Sequence, residues 1–172
     1  MHEHVRLCEI RAAHFWLGMS LTIGLISDTH GLLRPQAKLA LAGVDRIIHA
    51  GDIGTRAVLE ELRALAPVDA VRGNNDRGSA WARSTPATLR IELARSRVFV
   101  LHDVKELDFD PAQEGIDVVI AGHSHRPVIA TRGGVLYVNP GSAGPRRFNL
   151  PVTIGFLKLG KTRARARILE LL

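Results

Sequence analysis

Leu21-Thr22-Ile23-Gly24-Leu25-Ile26-Ser27-Asp28-Thr29-His30-Gly31 is the stretch around which the chain is organised. Its first half is a continuous apolar run with β-branched residues, the composition of a strand buried on both faces of a sheet. Its second half sets Asp28 and His30 just beyond that strand, and Gly31 lets the chain turn. In open α/β sheets, ligands bind outside the carboxyl ends of the strands. A carboxylate and an imidazole two residues apart therefore leave the sheet where chemistry is usually done. An Asp-x-His pair alone is a weak signal, and its weight depends on whether other strands end in matching groups.

Downstream, strand and helix signals alternate. Arg34–Ala42 reads as a helix, with Pro35 near its start and Gly43 closing it. Val44–Ala50 reads as a second strand, ending in Gly51-Asp52. Thr55–Leu65 is amphipathic, with Val58, Leu59, Leu62 and Leu65 on one face and Thr55 in the N-cap position. Pro67–Val71 is a third strand that runs into Arg72-Gly73-Asn74-Asn75-Asp76. This alternation is the βαβ pattern of a parallel sheet. Beyond it, Thr88–Leu93 and Arg97–Leu101 read as antiparallel strands about a short turn, the second ending at His102. Asp108–Gly115 carries turn and helix signals. Ile116–Ala121 is another apolar strand, ending in Gly122-His123-Ser124-His125. Pro127–Thr131 and Val135–Val138 flank Gly133-Gly134 as a hairpin. Asn139–Pro145 is a Gly/Pro loop, and Val152–Leu159 with Arg163–Leu169 forms a last hairpin around Gly160.

With 172 residues, the chain suffices for one α/β domain with its own core. Aromatic content is only 5%, so that core rests on aliphatic side chains. Cys8 is the single cysteine, which excludes an internal disulfide and points to a reducing, cytoplasmic setting. The formal charge of +6 suits an anionic partner, although a plain preference for arginine gives the same balance. No apolar run is long enough to span a bilayer. Arg6 and Arg11 ahead of Phe15–Ile26 imitate a signal peptide, but cleavage there would detach the strand that carries Asp28 and His30. The domain is therefore expected over residues 19–172, with residues 1–18 an N-terminal extension, disordered or from a misassigned start. His2, His4, Cys8 and His14 lie in that extension and read as solvent-exposed rather than metal-binding.

Side chains with ligand chemistry fall at five strand ends: Asp28 and His30, Asp52, Asn74, His102, and His123 with His125. Oxygen and nitrogen donors without thiolate suit manganese, iron, nickel, zinc or, less well, magnesium. Seven such groups are too many for one ion and suitable for two. A shared carboxylate would hold two ions about 3.5–4 Å apart, the spacing of two-metal hydrolysis. Glycines before Asp52, Asn74 and His123 free the backbone to turn there. Each piece has an ordinary reading: Gly-Asp and Gly-Asn-Asn-Asp occur in plain turns, and a histidine after an apolar strand is often simply buried. His49, inside its strand, is assigned to that ordinary class. Two imidazoles in Gly-His-Ser-His are harder to explain by packing, and recurrence at five strand ends makes the set a metal-site candidate.

Ser27-Asp28-Thr29-His30-Gly31, Gly51-Asp52, Gly73-Asn74-Asn75-Asp76, His102 and Gly122-His123-Ser124-His125 resemble, in order, the motifs of calcineurin-like metallophosphoesterases. The small size and Asn139-Pro140-Gly141-Ser142 resemble the compact YfcE-like phosphodiesterase branch. The similarity runs from Leu21 to the C-terminus and implies a four-layer α-β-β-α sandwich. It implies one cation on Asp28, His30, Asp52 and His125 and a second on Asp52, Asn74, His102 and His123, with Asp52 bridging. Mn2+ is the expected metal, with Fe, Ni, Zn or Mg as alternatives. On that reading a water shared by the ions acts as hydroxide on phosphorus, and Asn74 also positions a phosphoryl oxygen. Asp76 would orient its loop or a ligand histidine. Arg146 and Arg147 are candidate substrate contacts, or else a solvated basic loop.

Two departures from the family pattern matter. Relatives often carry histidine where Asn75 stands, so leaving-group protonation would fall to water. Many YfcE-like members continue His-Gly-His where this chain has His102-Asp103-Val104, so substrate preference does not carry over. Arg163, Arg165 and Arg167 would share one strand face, read as the wet side of an edge hairpin, and Trp16 and Trp81 read as packing residues. The expected activity is hydrolysis of small phosphate esters, diesters foremost, without membrane contact; nucleic-acid binding and self-association stay open. The alternatives are a non-catalytic metal-binding scaffold of the same fold, as in the related retromer subunit, and a nuclease, for which little chain is left to build a groove.

Overall fold

The apolar run that opens the domain is strand β1 (Leu21–Ile26), with five of its six residues buried. The computed structural model describes residues 20–172 except Phe148. The N-terminal extension with His2, His4, Cys8, His14 and Trp16, and the expected boundary at residue 19, lie outside the described residues. After β1 come α1 (Pro35–Leu41), β2 (Arg46–His49), α2 (Arg56–Arg63) and β3 (Val68–Ala70). β1, β2 and β3 pair in parallel, as a βαβ unit requires. Next are β4 (Thr88–Leu93), β5 (Ser96–Leu101), β6 (Val118–Ile120), β7 (Pro127–Arg132), β8 (Val135–Pro140), β9 (Thr153–Leu159) and β10 (Arg165–Glu170). One five-stranded sheet runs β10-β9-β1-β2-β3 and the other β4-β5-β6-β8-β7. Both are mixed: β9 joins β1 antiparallel, whereas β5, β6 and β8 are parallel between two antiparallel hairpins.

The sheets pack face to face. Leu25, Ile48 and Leu157 of the first meet Val100, Val118 and Ile120 of the second, all fully buried. At about 1.5–3 kcal/mol per fully buried aliphatic side chain, this inner layer holds the sheets together. Alternate residues face outward. There Ile26, Ile47 and Ile154 meet Leu41 of α1 and Val58, Leu59 and Leu62 of α2. Gly24 belongs to this outer face, where a Cβ would collide with Leu41.

The outer face of the second sheet carries Phe99, Leu101 and Val119, covered by Leu107 and Phe109. Those two residues follow a single 3-10 turn, Val104–Glu106, so this fourth layer is thin and contains no α-helix among the described residues. Pro111, and Gly115 with φ +67°, explain why the helix signals of Asp108–Gly115 resolve into turns.

Smaller differences are local. Thr55 stands at the N-cap of α2 without a side-chain capping bond. The β4–β5 turn is Ala94-Arg95, both left-handed (φ 47° and 70°), a geometry normally announced by Asn-Gly. Arg165 and Arg167 are exposed on edge strand β10, with the Arg167 guanidinium 4.0 Å over the Phe156 ring. Trp81 packs against the helix-side core. No helix among the described residues is long and apolar enough to cross a membrane.

The carboxyl ends of β1, β2 and β3 and those of β5 and β6 meet at one edge. Gly122, after β6, is a point of closest approach: a Cβ there would collide with the Ser27 hydroxyl and lie 2.9 Å from Asp28 Oδ2. Gly122→Ala is expected to cost about 1–3 kcal/mol by overpacking. The measurement is urea unfolding, with a lowered midpoint at unchanged slope.

Candidate metal centre

The loops after β1 and β2 keep pairing beyond the strands. Asp28 N–H donates to Gly51 O (3.0 Å), His30 N–H to Asp52 O (2.9 Å) and Gly31 N–H to Ile53 O (2.8 Å). Asp28, His30, Asp52, His123 and His125 all have φ between 47° and 66°. That left-handed region costs a non-glycine residue about 1–2 kcal/mol. Among the described non-glycine residues only the turn pair Ala94-Arg95 shares it. Strain concentrated in five of seven candidate ligands marks a geometry imposed by the surroundings.

Four of these side chains converge on one point. His125 Nε2 lies 3.2 Å from Asp28 Oδ1. His30 Nε2 lies 3.4 Å from His125 Nε2, 3.9 Å from Asp52 Oδ2 and 4.0 Å from Asp28 Oδ1. A second point adjoins it. His102 Nε2 lies 3.4 Å from Asp52 Oδ1 and 3.1 Å from Asn74 Oδ1, and His123 Nδ1 lies 3.1 Å from the same Asn74 Oδ1. Asp52 turns one oxygen to each group. All seven residues singled out in the sequence are thus brought together, with Asp28, Asp52, His102 and His125 buried.

The donors fit divalent cations. Asp28 Oδ1 is buried with no hydrogen-bond partner, and so is His125 Nδ1. A buried polar atom left unpartnered costs about 1–3 kcal/mol, and more if charged. Asp28 Oδ1 faces imidazole nitrogens across a gap that a cation would fill. Carboxylate, amide oxygen and imidazole are ligands suited to first-row divalent ions.

The remaining lone pairs of the carboxylates are held by the chain. Ser27 Oγ donates to Asp28 Oδ2 (2.6 Å), as does His123 N–H (3.1 Å). Asn75 donates twice to Asp52, from its backbone N–H to Oδ1 (2.9 Å) and from Nδ2 to Oδ2 (2.7 Å). Asp76, wholly buried, accepts from the backbone N–H groups of Ile53 (3.1 Å), Gly54 (2.9 Å) and Gly73 (2.8 Å). It therefore ties the Asp52 loop to the Asn74 loop, and no contact with a ligand histidine is seen. His102 Nδ1–H donates to Ala50 O (2.8 Å), which leaves Nε2 facing the site. Asn139 Nδ2 donates to Gly122 O (2.6 Å) and Ser124 Oγ (3.1 Å), and Ser142 Oγ donates to Asp28 O (3.0 Å).

Protonation follows from these contacts. Burial opposes charge on Asp52, but His102 and the Asn75 donors outweigh it and hold the carboxyl well below the usual range. Burial likewise opposes a proton on His102, yet Asp52 and the Ala50 carbonyl raise it above the ordinary histidine value. Burial lowers His30, and the nearby Arg147 charge adds to the effect. Arg146 turns away from the site, because its Nη2 donates to Leu172 O (2.9 Å). Of the two arginines considered for substrate contact, Arg147 is the one whose charge acts on a candidate ligand, His30.

His49 is buried, as its ordinary reading requires, but it is also a strut. Gly51 N–H donates to its Nδ1 (3.2 Å), so Nε2 carries the proton toward Thr29 Oγ1 (2.9 Å), which donates to Ile53 O (2.9 Å). Burial pushes His49 down to about 4. Ser27, Thr29, Asn75, Asn139 and Ser142 were each visible within motifs, yet their supporting roles had no local signal. Apart from Ser27, whose hydroxyl bonds the carboxylate of the adjacent Asp28, the partners they hold are distant in sequence or are backbone atoms.

Two sheets that deliver seven such donors to one edge form a candidate site for divalent metal. The chain belongs to the calcineurin-like phosphoesterase superfamily, whose domain profile matches residues 21–162. It is 36% identical over 143 residues to a probable metallophosphoesterase of Methanothermobacter thermautotrophicus, covering 76% of this chain and 82% of that one. It is 30% identical over 154 residues to the Escherichia coli K12 phosphodiesterase YfcE, covering 76% of this chain and 84% of that one. The solved structure of a novel archaeal phosphodiesterase superposes with a TM-score of 0.73 at 28% identity, over 87% of this chain and 100% of that one.

Asn75 is exposed, so Asn75→Ala is expected to leave the fold intact. Loss of its amide from Asp52 should weaken Mn2+ binding about 10-fold or more, read by titration calorimetry. His49 yields a pH effect. Its folded value of about 4 lies below the ordinary 6.5, so its stabilising contribution is full above pH 6.5 and is lost as pH falls toward 4. His102 acts oppositely, its contribution being full below 6.5 and lost as pH rises through its raised value. Between pH 6.5 and about pH 5 the metal-free protein should lose about 2 kcal/mol through His49. His49→Gln should flatten that slope in urea unfolding at the two pH values.

Proposed function

We propose that the protein is a phosphodiesterase acting on small phosphate esters with two divalent cations, Mn2+ foremost. Asp28, His30, Asp52 and His125 would hold one cation, and Asp52, Asn74, His102 and His123 the other, within a catalytic unit of residues 19–172. The observation that carries this reading is Asp52, whose Oδ1 faces His102 (3.4 Å) while Oδ2 faces His30 (3.9 Å). One carboxylate shared between two donor groups is what a bridged pair needs. When bound, such a pair supplies an acidified water and charge neutralisation for the phosphoryl oxygens.

The chain's own residues orient the reactants. Asn74 turns its amide oxygen to His102 and His123, which leaves its amide nitrogen to donate to a phosphoryl oxygen. Arg147, whose charge reaches His30, is a basic group that would meet another oxygen of the phosphate. Asn75 spends its amide on Asp52 and has no proton to transfer. The departing oxygen therefore takes its proton from water, which favours aryl esters over alkyl ones.

Protein loaded with Mn2+ should carry two metal equivalents and hydrolyse bis(p-nitrophenyl) phosphate. Asp52→Asn should retain one equivalent or fewer and lose about 1000-fold in kcat, roughly 4 kcal/mol of barrier. Elemental analysis and release of p-nitrophenol measure the two effects. Folded wild-type protein that binds metal but cleaves no ester would identify a scaffold instead.

A further inference from the structure

Arg72 and Arg77 lie beside the candidate centre, with Arg83 beyond them, and none has a part in the chemistry proposed above. Asn74, His102 and His123 open on a recess of about 180 Å³ that is also walled by Arg72 and Arg77. The same two arginines wall a wider, more open recess of about 360 Å³, which takes in Ser79 and Arg83. The two recesses share Arg72 and Arg77 as walls and so lie side by side, a trough whose inner part adjoins the centre and whose outer part takes in Arg83.

Charge along the trough is uneven. Asp103 and Glu106 border the part next to the centre. In the outer part the lining carboxylate is Asp76, which is wholly buried and occupied by three backbone N–H groups. The outer part is thus lined by three arginines and no free acid. Arg72 is pinned by donation from Nη1 to Thr85 O (2.6 Å). Arg77 pairs with Glu106 at 3.2 Å, but both side chains are about 60% exposed, and such a pair yields readily to a stronger anion. Arg83 is exposed in the 3-10 turn Ala80–Ser84. Ser79, at the head of that turn, makes no side-chain capping bond, so its hydroxyl is available.

Forked guanidinium donors match phosphate oxygens. We propose that this trough binds a second phosphate, so that the preferred substrates are phosphodiesters carrying another phosphate group beyond the one cleaved. The inference rests on the phosphodiesterase reading, since the centre must hold the scissile group. A 5′-phosphorylated dinucleotide and a nucleoside diphosphate ester both present this chemistry.

The test compares Mn2+-loaded wild type with Arg83→Ala, because Arg83 touches none of the candidate ligands. The substrates are the dithymidylate pTpT, its unphosphorylated form TpT, ADP-ribose and bis(p-nitrophenyl) phosphate. The terminal phosphate is expected to lower KM about tenfold for pTpT relative to TpT. Arg83→Ala should abolish that advantage while leaving TpT and bis(p-nitrophenyl) phosphate unchanged. ADP-ribose cleavage with the same dependence on Arg83 would identify the diphosphate ester as the source, and its absence the nucleotide end. Equal KM values for pTpT and TpT, or a ratio unaltered by Arg83→Ala, would overturn the subsite while diester hydrolysis stood. If no diester is cleaved, the underlying reading falls and this one with it.

Discussion

The structure depends on keeping two carboxylates, Asp28 and Asp52, in a buried pocket with no lysine or arginine paired to either among the described residues. A buried charge is tolerated only when it is hydrogen-bonded and compensated. Here most of the compensation comes from polar N–H and O–H groups: Ser27 and the His123 amide for Asp28, Asn75 and His102 for Asp52. Those donors come from both sheets, so the pocket exists only when the sheets are packed. Folding and site assembly are one event, because the aliphatic layer that joins the sheets also sets the distance between His102 and Asp52.

Closeness makes its own demands. Gly73 leaves no room for a Cβ, which would collide with the Asp52 carboxylate, and Gly122 is crowded in the same way by Ser27. Five candidate ligands adopt left-handed backbone that a relaxed loop would avoid. The strain is sustained by contacts that over-determine these loops. Asp76 grips three backbone N–H groups, His49 links Thr29 to Gly51, and Asn139 near the end of β8 and Ser142 in the loop after it reach across. The result is rigidity where a metal site needs it, because ligands already in position pay less ordering entropy on binding.

What could be read from the chain divides along this line. Period-two burial, the apolar run of β1 and the alternation of strand and helix are local, so the strands, the parallel start and the hairpins were legible, whereas the antiparallel seating of β9 on β1 and the division into two sheets depend on distant pairings that carry no local signal. That the seven candidate ligands meet at one edge was legible because each follows a strand, and geometry at strand ends is simple. The turn Ala94-Arg95 carries no glycine, because neighbouring strand pairing imposes its conformation. The thin layer over the second sheet was obscured by a segment whose composition suits either a turn or a helix. Arg146 could not be separated from Arg147 by sequence, because its partner is the carbonyl of Leu172, 26 residues away. His49 was legible as buried but not as a strut, since its partners Thr29 and Gly51 are known only once the loops close.

Asn75 shows why a departure from a family pattern is not simply a loss. A histidine at that position could give a proton to the departing oxygen, but its own charge would vary near neutral pH. An amide does not titrate, so its hold on Asp52 is the same at every pH at which the fold persists. On the proposed function, the site exchanges assistance at the leaving group for a bridging carboxylate that stays fixed. Such an exchange is tolerable if barrier lowering can be drawn from elsewhere. Contacts remote from the reacting bond serve that purpose when they orient the substrate. On the same proposal, the arginine trough that begins at Arg72 and Arg77, beside the candidate ligands, would supply that capacity. The missing acid and the added cationic surface are then two consequences of one design: a centre tuned for well-oriented esters with stable leaving groups.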